Sequence, residues 1–247
     1  MAESMIYSKT LLISDTQTDP FGRLTPAALL ALAQEMATEH ALALGLGRPA
    51  LDPLGLFWAI IRQTVSIARL PRQGEKITLE TWPGVPTRTA FPRFVTAKDE
   101  KGEVLFQVAA LWLFMNRESR EMVLPKNSGV AVPGIQREGE MSLPKGIGHR
   151  ELKNRELRRV RYSELDCNGH LNNCKYANWM QDVLPPAYHE GHCLKNLHIC
   201  YTHEAFWDQE ITLQWELEEN ALQMEASRGE GTEKQHIFLL RASYEEE

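Results

Sequence analysis

The chain of 247 residues is 43% hydrophobic with a formal charge of −6, enough apolar side chains for one large core or two small ones. The acidic balance argues against a nucleic-acid partner, because a phosphate footprint needs clustered Lys and Arg; no apolar run approaches the roughly 20 residues of a membrane span. The N-terminal "MAESMIYSKTLLISDTQ" lacks a basic region followed by an apolar one, and Cys167, Cys174, Cys193 and Cys200 crowd into one 34-residue stretch unlike a disulfide framework, so a cytoplasmic protein with reduced thiols is expected.

Thr25-Pro26 supplies an N-cap before a proline suited to a first helical turn, and Leu29, Leu32, Ala33, Met36 and His40 follow at three- and four-residue spacing until Gly45, which predicts a long, mostly buried helix. After it, "LFWAIIRQTVSIARL", "EKITLETWP", "RTAFPRFVTAKD" and "GEVLFQVAALWLFMN" are rich in β-branched or aromatic residues and bounded by Gly, Pro or charge. These predict strands of an antiparallel sheet. The Gly, Pro and charge of "NSGVAVPGIQREGEMSLPKGIGHREL" predict a linker. A strand-like "ELRRVRYSEL" then leads to a helix carrying Tyr176, Trp179, Met180 and Val183, stopped by Pro185-Pro186. "LHICYTHEAF", "QEITLQWEL", "ALQMEASRG" and "HIFLLRASY" follow as strands.

One helix plus a sheet, twice in the same order, implies an internal duplication. An offset of 147 places Asp166 on Asp19, Gly169 on Gly22 and Leu171 on Leu24, and an offset of 134 places Ile211-Thr212-Leu213 on Ile77-Thr78-Leu79. The expected fold class is α+β, each half a long helix wrapped by an antiparallel β-sheet, with an N-terminal half over 1–135, a linker over 136–153 and a C-terminal half over 154–247. Such a chain is a pseudo-dimer in itself, and a homodimer of such chains is a compatible assembly.

Where the copies differ, the difference is chemical. Phe21 stands opposite Asn168, Arg23 opposite His170 and Leu70 opposite Glu204. Groups able to hydrogen-bond or move protons thus sit in the second half, which points to one site per chain.

The stretch "DCNGHLNNCKYANWM", followed about thirty residues later by "YTHEAFWDQEITL", resembles the acyl-acyl carrier protein thioesterases. So do "GRLTPAALLALAQEMATEHALALG", "EKITLETWP" and "WLFMNRESREMVLP" in the first half, so the likeness covers nearly the whole chain. The resemblance implies a tandem (double) hot-dog fold and hydrolysis of an acyl thioester on carrier protein to free fatty acid. It also implies that Asp166, Asn168, His170 and Glu204 are the active-site residues. One departure is that plant members often carry a Cys after that Glu, where this chain has Ala205; a mechanism needing that thiol does not transfer.

Thioester hydrolysis independently asks for an activated water, a polarised carbonyl and a channel for an apolar chain. If a helix begins near His170 to Asn172, the backbone N–H groups of Gly169 to Leu171 point outward as an oxyanion site, and Gly169 lets the carbonyl come close. Gly169, Leu171 and Asn172 are accordingly expected to bind substrate, although Asn172 serves equally as a helix cap. Glu204 or His170 acts as general base, Asp166 orients the His170 ring, and Asn168 hydrogen-bonds water or substrate. Asp166, Asn168 and Gly169 alone describe a turn and cap just as well; His170, Glu204 and the asymmetry of the repeat favour the site.

No cofactor is expected, and no metal, because the cysteine spacing and the "YHEGHC" cluster lack close structural-zinc pairs. Cys167, three residues before His170, is an alternative nucleophile. Lys145, Arg150, Lys153, Arg155, Arg158, Arg159 and Arg161 form a basic stretch that suits an acidic acyl carrier protein with its phosphopantetheine arm, or a solvated linker. The first half is expected to form the acyl channel around residues such as Phe57 and Trp58, and the second half to be catalytic. The rival functions are an acyl-CoA thioesterase on the same fold and a non-catalytic acyl-binding protein. A hot-dog hydratase resembles D-x-N-x-x-H, whereas Asp166, Asn168 and His170 give D-x-N-x-H.

Overall fold

The computed structural model describes residues 5–247; the first four positions of the N-terminal stretch read above lie outside them. The chain divides into two compact units, Met1–Pro144 and Lys145–Glu247.

In the first unit, β1 (Tyr7–Leu12) precedes α1 (Pro26–Ala43) and a short α2 (Arg48–Leu51), followed by β2 (Leu56–Ile67), β3 (Lys76–Pro83), β4 (Phe91–Lys98), β5 (Val104–Asn116) and β6 (Met122–Val123). The strands pair antiparallel in the order β1-β3-β4-β5-β2, with β6 beside β5. Helix α1 starts where the sequence placed it. The Thr25 hydroxyl accepts the Ala28 N–H at 3.2 Å and Pro26 occupies the first turn, where its missing donor is not needed. Leu29, Leu32, Ala33, Met36 and His40 are buried on it, as their spacing requires.

The second unit contains β7 (Asn154–Arg159), α3 (Lys175–Asp182), α4 (Pro186–Gly191), β8 (His192–Tyr201), β9 (Glu210–Glu218), β10 (Ala221–Arg228) and β11 (Gln235–Glu246). Its antiparallel order is β7-β9-β10-β11-β8, the first unit's order element for element. The register repeats as well. Tyr7 pairs with Thr81 in the first sheet and Asn154 with Trp215 in the second, the same pair displaced by 147 and 134. A slip of one residue would turn every side chain to the other face, so a shared register means a shared core pattern.

The helices of the two units differ from the expected symmetry. The first helix has 18 residues, whereas the second has 8 and is followed by a separate six-residue α4. Pro185-Pro186 does end α3, but Pro186 also opens α4, because proline fits a first helical turn as well as it blocks an interior one. Trp179, Met180, Phe238 and Met224 are fully buried in the core of this unit, each contributing about 1.5–3 kcal/mol through lost water contact.

The segment between the sheets is bound rather than free. Trp82 Nε1 donates to Glu140 at 2.7 Å and the Arg137 guanidinium covers the Trp82 ring, which ties residues 137–140 to the first unit. Residues 145–150 form a strap on the second sheet: the Lys145 carbonyl meets His198 Nε2 at 2.9 Å, and the Arg150 N–H donates to Glu225 Oε1 at 3.0 Å. Among the described residues, no helix is long and apolar enough to cross a membrane, and no disulfide joins the four cysteines.

Candidate active site

The loop from Asp166 to Leu171 is a closed turn. Asp166 N–H donates to the His170 carbonyl at 2.8 Å and Gly169 N–H to the Asp166 carbonyl at 3.0 Å, while Asp166 Oδ1 accepts the N–H groups of Asn168 and His170 at 2.8 and 3.2 Å. The first unit repeats this turn around Asp19, whose Oδ1 accepts from Phe21 and Arg23, both at 2.9 Å. Gly22 and Gly169 take φ of +74° and +78° in the two turns. Leu24 N–H donates to Pro71 and Leu171 N–H to Ala205, again at offsets of 147 and 134. Side-chain carboxylates bonding backbone two and four residues on are the usual physics of such turns.

Onto this common frame the second unit adds one contact. His170 Nδ1 stands 3.2 Å from Glu204 Oε1, with the imidazole largely buried and the carboxylate partly open to solvent. An isolated bridge pairs His170 with Phe206, whose ring packs edge-on to the imidazole at 4.9 Å. The corresponding bridge in the first unit joins Arg23 to Arg72, and Arg23 there lies on Asp19 Oδ2 at 3.0 Å. The two sites thus share a backbone and differ in side-chain chemistry.

Glu204 sits on the loop after β8, and that loop is pinned by residues the sequence did not single out. Arg228 Nη1 donates to the Glu204 carbonyl at 2.9 Å and to Gln209 Oε1 at 2.8 Å; the same Gln209 oxygen accepts the Phe206 N–H at 3.0 Å. Trp179 Nε1 anchors Glu164 at 2.7 Å just before the turn. Beneath lies Tyr176, whose hydroxyl is kept protonated by burial and then by the negative charges of Asp166 and Glu204. The sequence predicts Tyr176 only as part of the buried helix face; its polar hydroxyl there is the one sequence signal that could mark it out.

Several expected roles change. The helix begins at Lys175 rather than near residues 170–172, because the turn extends further: Asn172 Oδ1 accepts the Cys174 N–H at 2.9 Å. The Asn172 side chain thus closes a turn ahead of the helix, whose N-cap is Cys174. The N–H groups of Gly169, His170 and Leu171 are all bonded within the protein, so they do not form the oxyanion site. Leu171 is 3% exposed and belongs to the core. A Cβ on Gly169 would meet nothing within 4 Å in the protein, and its φ of +78° is one that glycine adopts readily. The Asp166 carboxylate holds backbone, with Asn168 Nδ2 at 3.5 Å from its other oxygen, and reaches His170 at its backbone N–H.

Cys167 is exposed, whereas burial pushes the Cys174 thiol up to about 12. Much of the basic stretch is already neutralised: Arg158 pairs with Asp182, Arg159 with Asp208 and Glu210, and Arg150 and Lys153 with Glu216 and Glu218. In the first unit, Trp58 is a core anchor packed on Phe91 and Phe114. A small pocket lies elsewhere, between α1 and the sheet, lined by Ala33, Ala37, Ile60, Val95, Val108 and Trp112 with Gln34, Gln63 and Arg93.

Family models for the Acyl-ACP thioesterase N-terminal domain and the Acyl-ACP thioesterase C-terminal domain match residues 5–126 and 149–239. The chain belongs to the acyl-ACP thioesterase family. It is 24% identical over 228 residues to a dodecanoyl-[acyl-carrier-protein] hydrolase of Cinnamomum camphora, which covers 83% of this chain and 57% of the relative. A palmitoyl-acyl carrier protein thioesterase of Cuphea hookeriana is 27% identical over 223 residues, covering 84% of this chain and 52% of the relative. This acyl-ACP thioesterase family member thus spans little more than half the length of these chloroplastic relatives.

Among solved structures, an acyl-ACP thioesterase from Bacteroides thetaiotaomicron superposes with a TM-score of 0.88 at 21% identity over 98% of both chains. The 12:0-ACP thioesterase from Umbellularia californica gives 0.82 at 19% identity, over 99% of this chain and 95% of that one. These likenesses establish the fold, a hot-dog unit repeated twice, as the sequence resemblance implied.

Proposed function

We propose that this family member hydrolyses the thioester of acyl-acyl carrier protein to free fatty acid and carrier protein, with the second unit carrying the reaction. The single observation behind the proposal is the His170–Glu204 contact at 3.2 Å, set on a turn that both units build but that only the second equips for proton transfer. Glu204 Oε1 accepts the Nδ1 proton of His170, which fixes the tautomer and leaves Nε2 as the base that deprotonates water. Attack of that water on the thioester carbonyl gives a tetrahedral intermediate. His170, now protonated, returns the proton to the departing pantetheine sulfur. Asn168, exposed beside His170, is assigned to the substrate carbonyl through its side-chain amide. Asp166 holds the turn.

The partner is the acyl carrier protein with its phosphopantetheine-linked chain. The first unit supplies the acyl-chain pocket, where each methylene removed from water contributes about 0.8 kcal/mol. The crowding of all four cysteines into residues 167–200, unlike a disulfide framework, favours a reducing compartment such as the cytoplasm.

The test is a panel of acyl-carrier and acyl-CoA substrates of graded length, run on the wild type, His170→Ala and Glu204→Gln. Hydrolysis faster on the carrier substrates and reduced roughly 10²- to 10⁴-fold in both variants is expected. Full turnover in both variants overturns the assignment, and equal or faster rates on acyl-CoA overturn the carrier preference.

A further inference from the structure

The outer face of the second sheet carries a cluster that the thioesterase reading does not use. His149 lies on the strap before β7, Glu225 on β10 and His236 on β11. Glu225 Oε2 is 3.2 Å from His149 Nδ1 and 3.7 Å from His236 Nδ1, and the three donor atoms lie within 4.8 Å of one another. The two imidazole rings face each other at 3.8 Å between centroids.

We propose that His149, Glu225 and His236 bind one divalent transition-metal ion of the zinc type. Ligand atoms at about 2.0–2.2 Å from a tetrahedral ion stand roughly 3.3–3.5 Å apart; the carboxylate-to-imidazole distances of 3.2 and 3.7 Å bracket that edge. Two imidazoles and one carboxylate are a borderline donor set that suits zinc and leaves a position for water.

Two further features point to a cation. Glu225 is only 4% exposed, yet the Arg150 guanidinium pairs with Glu216 and Glu218 instead, so that the Arg150 amide and His149 Nδ1 reach the carboxylate but no Lys or Arg side chain is shown on it. A buried carboxylate needs a compensating charge. His236 Nδ1 is shielded from solvent and makes no hydrogen bond among the described residues, an orphan of the kind native proteins rarely keep without a use. His149 is half exposed and gives the ion a way in.

The ion would act as a clip. It would fasten the strap at residue 149 to β10 and β11, next to the loop that carries Glu204: the His236 carbonyl accepts His203 Nδ1 at 2.6 Å and the Thr202 hydroxyl at 2.5 Å.

The experiment uses the full chain, freed of metal by chelator, titrated with Zn²⁺ by calorimetry and with Co²⁺ by visible absorption. The expected result is one ion per chain, a tetrahedral Co²⁺ spectrum without a thiolate charge-transfer band, and a raised Tm with Zn²⁺. His149→Ala and Glu225→Gln should each weaken Zn²⁺ binding roughly tenfold or more, while His192→Ala leaves it unchanged. His149 is on the surface strap and Glu225→Gln is isosteric, so both variants report on the folded protein. Absence of stoichiometric binding, a thiolate band, or an affinity untouched by both His149→Ala and Glu225→Gln would overturn the proposal.

Discussion

Asp19 and Asp166 do the same work 147 positions apart: each carboxylate gathers the N–H groups two and four residues on into a closed turn. The difference lies at the fourth residue, Arg23 in one turn and His170 in the other. Arg23 returns to its own aspartate, whereas His170 turns to Glu204. One backbone device therefore serves packing in the first unit and presents an imidazole in the second.

Because Asp166 acts on backbone, its acceptor oxygen matters and its charge does not. Asp166→Asn keeps Oδ1 and should retain most of kcat, while Asp166→Ala loses two hydrogen bonds, lowering stability by about 1–3 kcal/mol along with turnover. Asp19→Ala should lower stability further, since it also removes the ion pair with the buried Arg23, without changing kcat of the folded protein. Equal loss of kcat in Asp166→Asn and Asp166→Ala would restore a charged role; kinetics paired with denaturant titration separates the cases.

Gly169→Ala tests the other half of the turn. The space around it is open and φ is +78°, so the substitution should destabilise by about 1–2 kcal/mol through backbone strain and leave KM nearly unchanged. A large rise in KM with unchanged stability would instead show that substrate approaches this backbone.

At the first unit's pocket, Arg93 Nη1 meets His40 Nδ1 at 2.8 Å, and burial pulls the Arg93 guanidinium down to about 10. Arginine offers no acceptor, so His40 must accept with a bare Nδ1. Arg93→Met removes the donor to that nitrogen and His40→Leu removes the acceptor of the guanidinium, each at about 1–3 kcal/mol. The double variant should be less destabilised than the sum of the two, a coupling that a double-mutant cycle in urea measures. Simple additivity would show that the two groups are satisfied independently.

Acid stability has a local contributor at Glu75. Arg69, bound to both its oxygens at 2.8 and 2.6 Å, holds the carboxyl below its ordinary 4.5. A depressed carboxyl stabilises the fold above its unfolded value and loses that contribution as pH falls through the folded one. Glu75→Gln should therefore be less stable than wild type at pH 7, by about 0.5–1 kcal/mol for a partly exposed pair, and the gap should close below pH 4.5. A constant gap from pH 7 to pH 3 would contradict this.

Thiol chemistry separates the cysteines. A small alkylating reagent at neutral pH should label Cys167 in the native protein and reach Cys174 only after unfolding, since burial holds that thiol near 12. Cys167→Ser should keep full turnover, as measured on the preferred acyl substrate; a large loss would revive Cys167 as nucleophile.

Much of this was legible before any coordinates. Thr25-Pro26, the helical spacing up to His40 and the apolar runs of β2 to β5 and β8 to β11 carry their own local signals. The repeat offsets brought His170 and Glu204 forward because packing positions survive duplication and reactive ones need not. Other features hide for physical reasons. The short, half-polar β1 has no run to detect, and the residues that open a turn are the residues that cap a helix, so the expected start of α3 near His170 to Asn172 falls ahead of its actual start at Lys175. Arg228 reaches Glu204 from 24 residues away, and His149 reaches Glu225 from 76; only the folded sheet brings such groups together.

Strand β7 ends its sheet, paired with β9 on one side only among the described residues, and Arg155, Glu156, Arg158 and Arg159 crowd its length. A bare sheet rim invites a passing chain to add itself, and closely spaced charge makes that addition unfavourable. The arginines that first suggested a docking surface thus also guard the protein against templated self-aggregation.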